Sequence, residues 1–126
     1  MDFQHMEQIS ATTGKSQPVF SITKVGYARI NKAFIKNNNL KNVNFVELRG
    51  TENMDKLEIG MRFLEKDEGN CLKIATDDRT GGKTFSLRSF FSHFGKYHKD
   101  IPKQKLKVMK QGAIAGAPIF VAEIKV

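Results

Sequence analysis

Three histidines and one cysteine are the side chains in this sequence best suited to acid–base, metal-binding or nucleophilic chemistry. His5 lies in a polar stretch near the N-terminus, and His93 and His98 lie in a basic, aromatic-rich segment without a carboxylate cluster. Cys71 is the single cysteine, so one chain can build neither an internal disulfide nor a cysteine-based zinc site. We therefore predict that the protein is not an enzyme and uses no metal or cofactor.

The short motif Gly81–Thr84 resembles the end of a phosphate-binding loop, in which backbone amides and a lysine hold phosphate groups. The full pattern requires a glycine five residues before the Gly-Lys pair, and Asp77 occupies that position. Asp77 and Asp78 would also repel phosphate, and adjacent side chains on extended backbone point apart. We predict an ordinary loop here, with neither nucleotide hydrolysis nor paired-carboxylate catalysis.

Positive charge is the strongest signal in the composition. The chain has 21 Lys and Arg residues against 13 Asp and Glu residues, a formal net charge of +8. Residues 1–82 hold 12 basic and 11 acidic side chains, whereas residues 83–126 hold 9 and 2. Such a surplus attracts polyanions, because contact with phosphate groups releases counterions. A charged surface also keeps a protein in solution, so the charge alone leaves both interpretations open.

The sequence favours a cytoplasmic location, including a nucleoid-associated or phage-encoded protein. No apolar run approaches the roughly 20 residues that a membrane-spanning helix needs. The N-terminus lacks the charged start and apolar centre of a signal peptide. A single cysteine also agrees with a reducing compartment.

The alternation of apolar and polar residues predicts an α+β fold with about seven mainly antiparallel strands and two short helices on one side. Residues 1–18 are polar and aperiodic and predict a flexible tail, and residues 19–126 predict a single domain. Strand alternation begins at Val19, and Gly26 indicates a bulge within that strand. The small-residue stretch Gly112–Pro118 predicts a loop before the final strand.

The two predicted helices begin with similar sequences. Lys32–Ile35 and Arg88–Phe91 each place a basic residue, a small residue and two large apolar residues after a strand. Asn31 is a favourable N-cap for the first helix. The similarity predicts an internally duplicated fold, the alternative being two ordinary strand-to-helix junctions. The apolar helix residues either pack on the chain's own sheet or form a homodimer through the helix faces: Phe34, Ile35, Phe90, Phe91 and Phe94.

The face of the predicted sheet that points away from the core collects basic residues. Seven side chains are assigned to it by strand alternation: Tyr27, Arg29, Arg49, Arg62, Lys73, Lys105 and Lys107. Only Glu47 and Glu58 dilute this positive charge. Such a face can follow a phosphate backbone while bases stack on its aromatic residue, which predicts that Tyr27 stacks and that the six basic side chains contact phosphates. The alternative is a solvated outer face without a ligand.

The order of strands and helices and the basic sheet face resemble the single-stranded-DNA-binding transcriptional coactivator family (positive cofactor four-like) and its Whirly relatives. The segments that carry the resemblance are Gly26–Ala33 and Gly82–Leu87, and the similar order of elements covers about residues 19–126. The resemblance implies a saddle of strands that binds single-stranded nucleic acid, with helices behind it. The sequence departs from that pattern in its few exposed aromatic residues, with no Trp and two Tyr.

A second, weaker resemblance is to the AbrB-type swapped-hairpin regulators. Arg29–Ile35 followed by Leu40–Leu48 is similar to that family's strand, short helix and second strand. Asn42 and Asn44 stand where the family has proline or glycine and aspartate. This resemblance implies an intertwined dimer that binds duplex DNA.

Charge, sheet face and resemblance together predict a non-enzymatic protein that binds single-stranded DNA or RNA in transcription or DNA maintenance. Two alternatives remain open. One is an AbrB-like regulator that binds duplex DNA, and the other is a protein-interaction module that docks on an acidic partner.

Overall fold

A computed structural model describes residues 17–53, 56–94 and 103–125 of the chain. The elements in chain order are β1 (Phe20–Ile22), β2 (Tyr27–Ile30), α1 (Lys32–Asn37), β3 (Phe45–Asn53), β4 (Lys56–Leu64), β5 (Leu72–Lys73), β6 (Ala75–Thr76), β7 (Lys83–Ser86), α2 (Arg88–His93), β8 (Gln104–Leu106), β9 (Val108–Ile114) and β10 (Ala117–Ile124). The predicted α+β class with mainly antiparallel pairing is confirmed. The predicted count of about seven strands is wrong, because the described residues contain ten. The predicted flexible tail lies outside the described residues except for its last two positions.

The strands form two five-stranded sheets that are joined at both edges. Sheet A has the strand order β6-β7-β2-β1-β8, and sheet B has the order β5-β3-β4-β10-β9. Only Ile74 separates β5 from β6, and only Lys107 separates β8 from β9. Each of these two continuous segments therefore belongs to both sheets. The two sheets together form a closed, barrel-like arrangement of strands around the core.

Five phenylalanines fill the centre of this core. Phe20 and Phe85 come from sheet A, Phe63 and Phe120 come from sheet B, and Phe34 comes from α1. Each ring contacts two of the others, with centroids 5.6 to 6.3 Å apart, so the five rings form a closed cycle. The rings meet at tilted or edge-on angles, which the charge distribution of aromatic rings favours. The cycle ties both sheets and α1 into one core.

The first strand of the sequence prediction is a hairpin in the structure. Gly26 has a φ of +84° and ends a tight turn in which the Thr23 amide donates to the Tyr27 carbonyl at 2.8 Å. The predicted bulge at Gly26 is therefore wrong, and β1 and β2 pair as antiparallel neighbours on either side of this turn. The predicted inward positions Ala28 and Ile30 are correct, since both side chains are buried.

The predicted loop at Gly112–Pro118 is mostly strand. Ala115 and Gly116 have positive φ values and form a two-residue turn between β9 and β10. The residues on either side of the turn extend both strands. Pro118 is accommodated because it lies next to a shift in the pairing register, where a missing backbone N–H is tolerated.

Asn31 fixes the start of α1. Its side-chain Oδ1 accepts hydrogen bonds from the Phe34 amide at 2.9 Å and from the Val19 amide at 3.0 Å. Its Nδ2 donates to the Gln17 carbonyl at 2.7 Å. The predicted N-cap is confirmed, and the same side chain also holds the segment that leads into β1.

Gly50 of β3 lets α2 approach sheet B closely. A Cβ atom at this position would lie 2.5 Å from Cε2 of Phe90 and 2.6 Å from Cε2 of Phe94. Real Cβ atoms do not approach other heavy atoms so closely. The missing side chain therefore sets the distance between α2 and the sheet.

Both helices are six residues long, and their apolar side chains are mostly enclosed by the chain itself. Phe34, Ile35 and Phe90 are each 6% exposed and Phe91 is 3% exposed, while Phe94 packs partly buried against the core. This packing favours the interpretation that these residues cover the chain's own sheets, and it does not support a homodimer through the helix faces. Placement of both helices on one side stays a prediction. None of the helices in the described ranges has the length and apolar character needed to cross a membrane.

Candidate nucleic-acid interface

Three of the seven predicted contact residues lie on the outer face of sheet A. The pairing register places Lys105 beside Ser21, Ser21 beside Arg29, and Arg29 beside Thr84. These side chains form one row across four strands, in which the backbones at Arg29 and Lys105 lie two strand spacings, about 10 Å, apart. Tyr27 points to the same side, because it lies two positions before Arg29 on β2. We call Ser21, Tyr27, Arg29, Thr84 and Lys105 the basic face.

Arg88, which is not among the seven residues predicted from the sequence, lies over the ring of Tyr27 on the basic face. Tyr27 is 36% exposed, and the guanidinium carbon of Arg88 lies 5.6 Å from the centre of its ring. Arg88 is the first residue of α2, and its backbone N–H donates to Ser86 Oγ at 3.2 Å. A guanidinium group over an aromatic ring is held by a cation–π interaction. At the edge of the row, the pair thus provides both a positive charge from Arg88 and an aromatic ring from Tyr27.

Carboxylates lie beside the basic face but not on its strands. The five strands of sheet A contain no acidic residue, whereas those of sheet B contain four: Glu47, Glu52, Glu58 and Glu123. Arg29 and Thr84 line a cavity of about 280 Å³ whose lining includes one carboxylate, Asp77. A hydrogen bond from the backbone amide of Arg79 holds the pKa of Asp77 below its usual value. At the other end of the row, Lys105 lines a cavity together with Glu58 and Glu123. Negative charge thus lies near both ends of the row and not within it.

The other four predicted contact residues do not share this face. Arg49, Arg62 and Lys73 belong to sheet B, and Lys107 lies between β8 and β9. The predicted single face of seven residues is therefore wrong, because strand alternation gives the side of a strand but not the sheet that the strand joins. Arg49, Lys73 and Lys107 are exposed, and Arg49 forms an ion pair with Glu47 at 3.6 Å.

Arg62 is a buried residue of sheet B and is not an exposed phosphate contact. Its side chain is 8% exposed, and its Nε donates to Glu47 Oε1 at 3.2 Å. Its other nitrogens donate to Glu68 Oε1 at 3.1 Å and to the Ile114 carbonyl at 3.5 Å. The hydrogen bond that Arg62 donates to Glu47 lowers the pKa of Glu47 and raises the pKa of Arg62. This arginine links β4 to β3 and to the tip of the β9–β10 hairpin.

The residues considered for catalysis or metal binding do not converge in the described part of the chain. His93 is exposed at the end of α2, where its ring contacts Phe94. Cys71 is half-buried, and its Sγ lies 3.4 Å from the Gly69 carbonyl. His5 and His98 lie outside the described residues. Across residues 17–53, 56–94 and 103–125, the structure contains no group of three or more histidine, cysteine or acidic side chains that could hold a metal ion.

The glycine motif before β7 forms a hairpin loop, as predicted. The Gly81 amide donates to the Asp77 carbonyl at 2.8 Å, and the Asp77 amide donates to the Gly82 carbonyl at 2.8 Å. The Gly82 amide donates to Thr80 Oγ1 at 3.2 Å. These amides are occupied within the loop and do not form a phosphate cradle.

Lys83, the one charged residue of that motif, turns into the protein. Its residue exposure is 4%, and its Nζ donates to the Val43 carbonyl and to Thr76 Oγ1, both at 3.1 Å. Burial lowers the pKa of Lys83, and no carboxylate lies within ion-pair distance among the described residues. Sequence reasoning missed this lysine because its burial depends on contact with Val43, forty positions away.

Comparison with models of known protein families, with curated proteins and with solved structures gives no match for this chain.

Proposed function

We propose that the protein binds single-stranded nucleic acid through the basic face of sheet A. The observation that carries the proposal is the row formed by Lys105, Ser21, Arg29 and Thr84 on strands without a carboxylate. Cationic side chains and hydroxyls are the groups that contact phosphate and sugar oxygens, and these contacts carry no sequence preference of their own. Tyr27 stacks a base next to the row. The proposed role is a cytoplasmic one in transcription or DNA maintenance.

The proposed site differs from the seven-residue set predicted from the sequence. It keeps Tyr27, Arg29 and Lys105, and it adds Arg88 because of its position over the Tyr27 ring. It leaves out Arg62, whose hydrogen bonds to two glutamates already occupy the guanidinium group. Arg49, Lys73 and Lys107 lie off the row and contribute only long-range attraction.

We further infer an internally duplicated fold of the coactivator and Whirly-like kind. The supporting observation is a constant offset of 56 positions between Tyr27–Ile30 and Lys83–Ser86, and between Lys32–Asn37 and Arg88–His93. Strand pairing is consistent with the duplication, since β2 pairs with its counterpart β7. At this offset the two strands bury opposite members of the alternation, so the correspondence holds for the order of elements and not for individual strand residues.

Binding to labelled oligothymidine, measured by fluorescence anisotropy over a range of salt concentrations, tests the proposed function. We expect affinity to fall steeply with salt, because each phosphate contact on a single strand contributes about 0.7 to the log–log slope. The double variant R29Q/K105Q removes two such contacts and should lower the slope by about 1.4. The matched variant R49Q/K73Q makes the same change of charge on exposed side chains of sheet B and should leave the slope close to that of the wild type.

Equal slopes for the two double variants would show that the basic face is not the contact surface. Affinity that does not depend on salt, or an absence of binding, would remove the nucleic-acid proposal and favour the protein-interaction module. Tighter binding to duplex than to single-stranded DNA at matched salt would replace it with the AbrB-like alternative.

A further inference from the structure

A second basic region surrounds Lys83, and two of its lysines, Lys32 and Lys83, also line the cavity beside Arg29 and Thr84. A cleft of about 1060 Å³ lies between α1, the segment that follows it, the end of β4 and the β6–β7 hairpin. Its lining contains five lysines, Lys32, Lys36, Lys41, Lys66 and Lys83, and one carboxylate, Glu65. We call this cavity the lysine cleft.

The lysine cleft provides hydrogen-bond donors at its base as well as positive charge. An ammonium group has three N–H bonds, and the Val43 carbonyl and Thr76 Oγ1 account for two of those on Lys83. Thr76 itself lines the cleft, so the ammonium group lies at its wall. A buried ammonium without a carboxylate partner is unfavourable, and an anion entering the cleft would relieve that cost.

The hairpin loop packs against a second lysine of the cleft. A Cβ atom built at Gly81 would lie 3.3 Å from Cδ of Lys32, so the aliphatic stem of Lys32 passes directly over this glycine. Gly81 also has a φ of +74°, a conformation that other residues rarely adopt. The loop therefore packs against the stem of Lys32, and both Lys32 and Lys83 line the lysine cleft.

We propose that the lysine cleft binds a terminal phosphate group, carried either by a free nucleotide or by the 5′ end of a nucleic-acid strand. A terminal phosphate concentrates a charge of about −1.5 to −2 and three acceptor oxygens on one small group. A terminal phosphate therefore suits a cleft lined by five lysines better than a single carboxylate does. The volume of the cleft is sufficient for a nucleotide. This proposal does not depend on the basic face.

Isothermal titration of the full chain with ATP and with adenosine tests the proposal. We expect ATP to bind and adenosine not to bind. Because Lys83 is buried and its replacement can affect folding, the main variant is K36Q/K41Q, which alters two exposed lining residues. It should weaken ATP binding about tenfold or more, the cost of losing a charge-assisted contact. The control K24Q/K56Q removes the same charge from exposed lysines outside the cleft and should retain wild-type affinity.

A pair of oligonucleotides with a 5′-phosphate or a 5′-hydroxyl group identifies the source of the phosphate. Tighter binding of the phosphorylated strand assigns the cleft to strand ends, and equal binding of the two strands together with ATP binding assigns it to free nucleotides. The proposal is overturned if ATP does not bind and the 5′-phosphate adds no affinity, or if the control variant loses as much affinity as K36Q/K41Q. R29Q/K105Q should not change ATP binding, so failure of the cleft and failure of the basic face are distinguishable.

Discussion

Replacing Gly50 with alanine should destabilise the protein by forcing α2 away from sheet B. The added Cβ atom would lie 2.5 Å from Phe90 and 2.6 Å from Phe94, about 1 Å inside an ordinary carbon–carbon contact. Overpacking of this kind costs about 1 to 3 kcal/mol of unfolding free energy. For a chain of this length 1 kcal/mol corresponds to about 4 °C in Tm, so the expected loss is about 4 to 12 °C.

Gly60 supplies a matched control for this prediction. It lies on the neighbouring strand β4, and a Cβ atom there would meet only the Arg49 carbonyl oxygen at 3.8 Å, an ordinary contact. G60A should therefore leave Tm unchanged or raise it slightly, because alanine restricts the unfolded chain. Thermal unfolding followed by circular dichroism, with urea unfolding to obtain the free energy, compares the two variants. If G50A and G60A unfold at the same temperature, the rings of α2 move without cost and Gly50 does not set the position of the helix.

Two further substitutions test local interactions that hold the fold. N31A removes the acceptor for the Phe34 and Val19 amides and should lower the unfolding free energy by about 1 to 2 kcal/mol. N31D keeps that acceptor and should lower the unfolding free energy by less. Equal losses for the two variants in urea unfolding would argue against the capping role. E47Q should cost about 1.5 to 3 kcal/mol at neutral pH by weakening the hydrogen bond from Arg62. The folded-state pKa of Glu47 lies below its usual 4.5, so this stabilisation is present above that pH and is lost as the pH falls through the folded pKa. Urea unfolding from pH 7 to pH 3 should show the difference between wild type and E47Q shrinking, and a difference independent of pH would contradict this account.

Local patterns in the sequence predict those structural features that depend only on residues close together in the chain, such as strand alternation and the helix N-cap. The alternation in β4 correctly places Leu57, Ile59 and Met61 in the core, since burial on one side of a strand needs only the period of two. Asn31 is recognisable as an N-cap because the residues it caps follow it directly. Gly26 marks a break in the alternation, but a positive φ suits both a bulge and a turn, and only the pairing of β1 with β2 decides between them.

The sequence predicts only part of the candidate site, because the positions of its residues also depend on contacts between distant parts of the chain. Arg29 and Arg62 both occupy outward positions of alternating strands, yet one is exposed on sheet A and the other is enclosed by glutamates on sheet B. Which sheet a strand joins depends on partners far along the chain. The same holds for Lys83, whose hydrogen bond to Val43 joins the beginning of β7 to the segment before β3.

The cycle of five phenylalanines also determines when the chain can complete its fold. Phe20 and Phe34 lie near one end of the sequence and Phe120 lies near the other, and the cycle closes only when Phe120 contacts Phe34 and Phe63. The pairing of β1 with β8 spans a comparable separation. A fold dominated by such distant contacts forms slowly, because the entropy cost of closing long loops comes before the stabilising contacts are made. During synthesis, therefore, the core stays open until the strand that carries Phe120 has left the ribosome.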